Sequence, residues 1–107
     1  MKLWVDDIRI PLKGYIWARS VKEVKRFCYQ YLNADNVLEI EEFNLDHDAG
    51  DYFCEGGDYI KILEWLEYKK ETSGWKINST FKIHSGNIVG RQNMINIIQK
   101  NNWNLIS

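Results

Sequence analysis

Three apolar runs in this chain each stop at a polar cluster, and those stops constrain the fold more than any other feature. Lys2-Leu-Trp-Val is followed by Asp6-Asp7-Ile-Arg9, Phe43-Asn-Leu by Asp46-His47-Asp48, and Thr80-Phe-Lys-Ile by His84-Ser85-Gly-Asn87. Turn chemistry by itself accounts for Asp, Asn, Gly and Ser after a strand, because these side chains bond the turning backbone. It does not account for both histidines of the chain standing at such stops.

Between the stops, strand patterns alternate with helical ones. Residues 2–6 read as a first, central strand and Tyr15 to Arg19 as a second, with Pro11 and Gly14 marking the turn between them. Ser20 and Glu23 have the spacing of a capping box, in which hydroxyl and carboxylate satisfy free N–H groups at a helix start. A helix is therefore expected from about Val21 to Leu32, with Val21, Val24, Phe27, Cys28, Tyr31 and Leu32 as its buried stripe. A third strand is expected within Val37 to Asp46, most clearly at Phe43 to Asp46. The spacing of Tyr59, Ile62, Leu63 and Leu66 predicts a helix to about Lys70, with Asp58 as its N-cap. Thr80 to His84 alternates like a strand, Met94, Ile95, Ile97 and Ile98 line a last helix, and Trp103 to Ile106 suits an edge strand.

Parallel neighbours need a crossover, and the helices supply it. The expectation is one three-layer α/β domain over residues 1–107, a mainly parallel sheet of four or five strands with helices on both faces. In such sheets ligands bind beyond the carboxyl ends of the strands, where all three polar clusters fall.

Composition narrows the function. Fourteen Lys and Arg against fifteen Asp and Glu leave a formal charge of -1, so no global field draws the chain to extended duplex nucleic acid or an anionic membrane. Two cysteines without CxxC spacing, and no long apolar segment, lead us to expect free thiols and a cytoplasmic protein. The five tryptophans are assigned to packing, except that Trp75, beside Gly74, is expected to be available for stacking on a ligand base.

Asp6, Asp7 and Asp46 read either as loop-capping acids or as oxygen ligands of Mg²⁺ or Mn²⁺, since clustered carboxylates repel unless a cation relieves them. Asp46 and Asp48 share a side if the segment stays extended, and lose that relation if the chain turns at Asp46. His47 and His84 are candidate acid and base groups, with Asp48 orienting a ring. Ser85, Asn87 and Arg91, leading into a helix, form a candidate phosphate site together with Arg9. Each Arg has the alternative of pairing with a neighbouring acid.

The acidic pair, the later Asp46 and Ser85 resemble the receiver domains of two-component signalling. That resemblance implies a receiver or flavodoxin-like sheet and a Mg²⁺ site with Asp46 as phosphate acceptor. A receiver's Lys has no counterpart after Trp103, and the segment from Asp7 to Tyr15 is too short for the first crossover helix. Val5-Asp-Asp-Ile-Arg9, Leu45-Asp-His-Asp48 and His84-Ser-Gly-Asn87 with Gly90-Arg91 are more similar to the receiver-like group described as cyclic-phosphate-processing domains. The expected function is thus a metal-assisted phosphoesterase acting on a cyclic phosphate of a nucleotide or RNA end. The alternative is a noncatalytic module binding a phosphorylated small molecule or a partner protein.

Overall fold

The structure is a computed structural model that describes residues 1–106. The hydroxyl half of the capping box forms as expected, Ser20 Oγ accepting the Glu23 N–H, while Glu23 Oε1 accepts the N–H of Arg19, one residue before the cap. It starts α1 (Val21–Gln30), whose buried Val21, Val24 and Cys28 face the core. Two strands precede it, β1 (Lys2–Val5) and β2 (Tyr15–Ala18). The expected third strand divides into β3 (Val37–Leu38) and β4 (Glu42–Leu45). A 3₁₀ helix (Gly50–Glu55) and α2 (Ile60–Ser73) follow, then β5 (Lys76–Ile77) and β6 (Thr80–Ile83). The last elements are α3 (Ile88–Lys100) and β7 (Asn104–Leu105).

Five strands form one parallel sheet in the order β2-β1-β4-β6-β7, while β3 and β5 pair in a separate parallel ribbon. The mainly parallel, receiver-like sheet matches expectation. The layers differ from it. The crossovers from β2 to β4, β4 to β6 and β6 to β7 all travel the same way across the sheet, and right-handed crossovers in one direction place their helices on one face. That face carries Leu3, Val5, Ala18, Phe43, Leu45, Phe81 and Ile83, which form a single core with Val24, Leu63, Leu66, Met94 and Ile98 of the helices. The return from β1 to β2 is too short to hold a helix, so helices on both faces do not occur among the described residues.

The other face carries Lys2, Trp4, Tyr15, Trp17, Glu42, Asn44, Thr80 and Lys82, the alternate residues of the same strands. Trp4 is buried yet stands outside the helix-facing core. Glu42 is buried there beside Lys82 and accepts the Tyr15 hydroxyl proton.

Two further expectations are corrected. Asp58 does not cap α2, because its Oδ1 accepts the Ala49 N–H at 2.9 Å and holds the loop after β4 instead. Trp75 is 5% exposed, packed edge-on against Trp65 and Tyr29 at 5.3 and 5.5 Å between ring centroids, so it has no free face for a base. Among the described residues no helix is long and apolar enough to cross a membrane.

Candidate functional site

The register aligns the strand ends. Val5 pairs with Ala18 on one side and Leu45 on the other, and Leu45 pairs with Ile83. The next residue on each strand therefore joins one row, Arg19, Asp6, Asp46 and His84, on the face without helices. Backbone bonds extend the ladder into that row: the N–H groups of Asp6, Asp46 and His84 reach the carbonyls of Ala18, Val5 and Leu45.

Asp6 is 1% exposed. Its Oδ1 accepts the Ile8 and Arg9 N–H groups, each at 2.9 Å, and its Oδ2 lies 2.9 Å from His84 Nε2. Burial alone would raise its pKa, but the two N–H groups and the imidazole outweigh it and hold the carboxyl below its ordinary value. The other ring nitrogen of His84 lies 2.6 Å from Asn44 Oδ1, and the ring stacks on Trp4. Asn44 was not foreseen. A polar residue between Phe43 and Leu45 in a strand was its only signal.

Asp6, Asp46 and His84 each present one ligand atom, and these atoms lie within 4.8 Å of one another. The grouping thus replaces Asp7 of the expected acidic set with His84. Asp7 turns toward Gly50, where a Cβ would clash with its carboxylate, and the positive φ of 54° keeps that position suited to glycine. Burial and then the charges of Asp6 and Asp46 raise the Asp7 pKa, so it still feels the cluster. Two carboxylates and an imidazole, with a third carboxylate alongside, fit a divalent cation.

His47 and His84 do not meet in one cluster, because the chain turns at Asp46, whose Oδ1 accepts the His47 N–H at 2.8 Å. The shared side of Asp46 and Asp48 is lost with that turn. His47 instead groups with Asp48 and Asp58 within 4.8 Å. Its Nδ1 lies 2.7 Å from Asp48 Oδ1, an interaction that, with Asn87, holds the Asp48 carboxyl below its ordinary value. Asn87 caps α3 through Oδ1 to the Gly90 N–H, and its amide donates to Asp48 at 3.3 Å. The His47 ring packs over Gly90, where a Cβ would come within 2.5 Å of it.

Arg9 Nη1 donates to the His84 carbonyl at 2.9 Å, and Arg91 Nη1 to the Ile83 carbonyl. Both guanidiniums are thus anchored at the end of β6, and neither pairs with an acid among the described residues. Ser85 Oγ accepts the Asn87 N–H at 3.1 Å. Sequence reasoning also passed over Arg19, which stacks on Trp17 at the β2 end of the row.

Residues 1–100 match the family model described as the cyclic-phosphate processing receiver domain. No curated protein and no solved structure matched the chain.

Proposed function

The chain belongs to the cyclic-phosphate processing receiver domain family, and on that premise we propose that it is a metal-assisted phosphoesterase acting on a cyclic phosphate of a nucleotide or RNA end. The observation that carries this reading is the convergence of Asp6, Asp46 and His84 within 4.8 Å at the carboxyl edge of the sheet. A divalent cation bound there would supply Lewis-acid polarisation of a phosphoryl oxygen. The mixed oxygen and nitrogen set favours Mn²⁺ over Mg²⁺, with Asp7 alongside as the outer carboxylate.

Arg9 and Arg91 each use one Nη1 on a backbone carbonyl and keep their other N–H groups for phosphate oxygens. The Ser85 hydroxyl accepts from Asn87 and retains its own proton to donate. Asn87, engaged at both ends, positions Asp48 and the start of α3. With Nδ1 held by Asp48, His47 is left Nε2 for proton exchange with the nucleophile or leaving oxygen. His84 Nδ1 is held by Asn44, and Nε2, which meets Asp6 within the fold, is the nitrogen that would exchange that contact for the cation. Two free cysteines, Cys28 and Cys54, accord with action in the reducing cytoplasm.

The test is incubation of purified protein with Mn²⁺ or Mg²⁺ and a panel of 2′,3′-cyclic nucleotides and cyclic dinucleotides, with products read by ³¹P NMR. Ring opening that is abolished by EDTA supports the reading, and an intact panel overturns it. The engagement of both His84 nitrogens within the fold favours a second reading, a noncatalytic module that holds a phosphorylated small molecule or a partner. A probe that binds and is recovered unchanged would mark that outcome.

A further inference from the structure

Arg19 completes the strand-end row on β2, and its guanidinium is built into place. Its carbon lies 3.8 Å from the Trp17 ring centroid, and Nη1 donates to the Tyr52 hydroxyl at 3.2 Å. Trp17 is itself fixed, its Nε1 donating to the Asp6 carbonyl at 2.8 Å. The backbone of Arg19 is held on both sides, by Glu23 at its N–H and by the Tyr59 hydroxyl at its carbonyl. No carboxylate pairs with the guanidinium among the described residues, although the Asp6 and Asp46 carboxylates share its row. An oriented, half-buried cation without a counter-ion has already lost much of the freedom that binding an anion would cost it.

Its position relative to the other two unpaired site arginines matters. Arg9 and Arg91 are anchored at the end of β6, and β1 and β4 separate that strand from β2. Three strand spacings correspond to about 14–15 Å. One phosphate group cannot contact both ends of that span.

We infer that Arg19, with Trp17 and Tyr52, forms a second anion subsite that takes a further phosphate of the ligand while Arg9 and Arg91 face the cyclic one. The inference rests on the phosphoesterase reading and narrows its substrate class. The ligand carries a phosphate besides the cyclic phosphate, as an RNA 3′ end or a 5′-phosphorylated nucleoside cyclic phosphate does.

The experiment compares adenosine 2′,3′-cyclic phosphate with its 5′-phosphorylated form in the presence of Mn²⁺, reading Kd, or KM where the probe is turned over. Wild type should bind the doubly phosphorylated probe about tenfold tighter or more, the scale of a charge-assisted hydrogen bond. Arg19→Gln should bring the two affinities within about twofold of each other, and Arg19→Lys should retain part of the preference. Tyr52→Phe, which removes only the hydroxyl holding Nη1, should narrow the ratio by about threefold and covers the case in which Arg19→Gln folds poorly. Equal binding of the two probes by wild type, or a preference that survives in Arg19→Gln and Tyr52→Phe, overturns the second subsite and leaves the phosphoesterase reading standing. Wild type that binds neither probe overturns both.

Discussion

His84 lies flat on Trp4, with ring centroids 4.1 Å apart and planes 9° from parallel. Trp4 stands one row below His84 on the face without helices, and its Nε1 donates to the Arg9 carbonyl at 2.9 Å. One indole thus supports the imidazole from beneath and pins the loop that wraps Asp6. Trp4→Phe keeps a ring and removes the N–H, so it should cost about 0.5–1.5 kcal/mol. Trp4→Ala should cost about 3–5 kcal/mol in urea unfolding. A loss under about 0.5 kcal/mol for the alanine variant, the scale of a surface site, would show that the ring is not packed as described.

Gly90 gives a prediction of unusual sign. Replacing an interior helical glycine with alanine ordinarily stabilises by about 0.5–1 kcal/mol. Here the new Cβ would come within 2.5 Å of His47 Cδ2 and 2.8 Å of Nδ1, so the ring must leave its place between Gly90 and Asp48. Gly90→Ala should therefore bring no gain in stability and should lower turnover of a cyclic-phosphate substrate. A variant stabilised by the usual amount with unchanged turnover would contradict that packing.

Much of this was legible from residues whose signal is local. The capping box at Ser20 and Glu23 requires only two side chains at fixed spacing, and both engage the helix start, the carboxylate one residue before the cap. Asp6, Asp46 and His84 were legible as strand-end residues, because an abrupt end to an apolar run marks the carboxyl edge of a parallel sheet. What was not legible depends on which residues face each other across strands. Asn44 lies on β4, three strands after the β1 of Trp4 in sequence order, yet pairs with Trp4 in the sheet and completes the His84 environment, and β3 and β5 are two residues each, too short for any period to register. The alternation of Lys2, Trp4 and Asp6, and of Glu42, Asn44 and Asp46, did announce a polar sheet face. Assigning helices to both faces obscured it. Asp58 has the residue type of a cap but is engaged by a backbone N–H nine residues earlier, a contact that only the folded loop creates.

The acids of the site divide by pH. Asp6 and Asp48 lie below the ordinary carboxylate value of 3.8, so the stability they contribute is present above 3.8 and is lost as pH falls through their folded values. Asp7 lies above 3.8, through burial and then the charges of Asp6 and Asp46. Its ionisation therefore opposes folding, a cost that is absent below 3.8 and accumulates as pH rises through its folded value. Asp7→Asn should be more stable than wild type at pH 7 by a few tenths to about 1 kcal/mol, since the group is only partly buried and solvent screens it. That gain should vanish at pH 3 and shrink in Mn²⁺, where a cation relieves the repulsion. Urea titrations of both proteins at the two pH values decide it, and an Asp7→Asn variant no more stable at pH 7 would remove the claimed repulsion.

The two clusters can be separated by metal binding. A ligand that binds only the folded chain stabilises it by about 2.7 kcal/mol at a hundredfold excess over Kd, which for a domain of this size is a melting shift on the order of 10 °C. Asp46 and His84 belong to the cluster at the strand ends, whereas Asp58 belongs to the one around His47. Wild type and Asp58→Asn should both show the Mn²⁺ shift, because asparagine still offers an oxygen to the Ala49 N–H. Asp46→Asn should lose most of it because a neutral amide oxygen replaces an anionic ligand, and His84→Gln because the imidazole nitrogen is gone. Pulsed electron paramagnetic resonance of bound Mn²⁺ adds a readout independent of stability, a ¹⁴N coupling from an imidazole that should be present in wild type and absent in His84→Gln. If the shift disappears in Asp58→Asn and persists in Asp46→Asn and His84→Gln, the cation belongs to the His47 cluster, and the roles assigned to the two histidines would have to be exchanged.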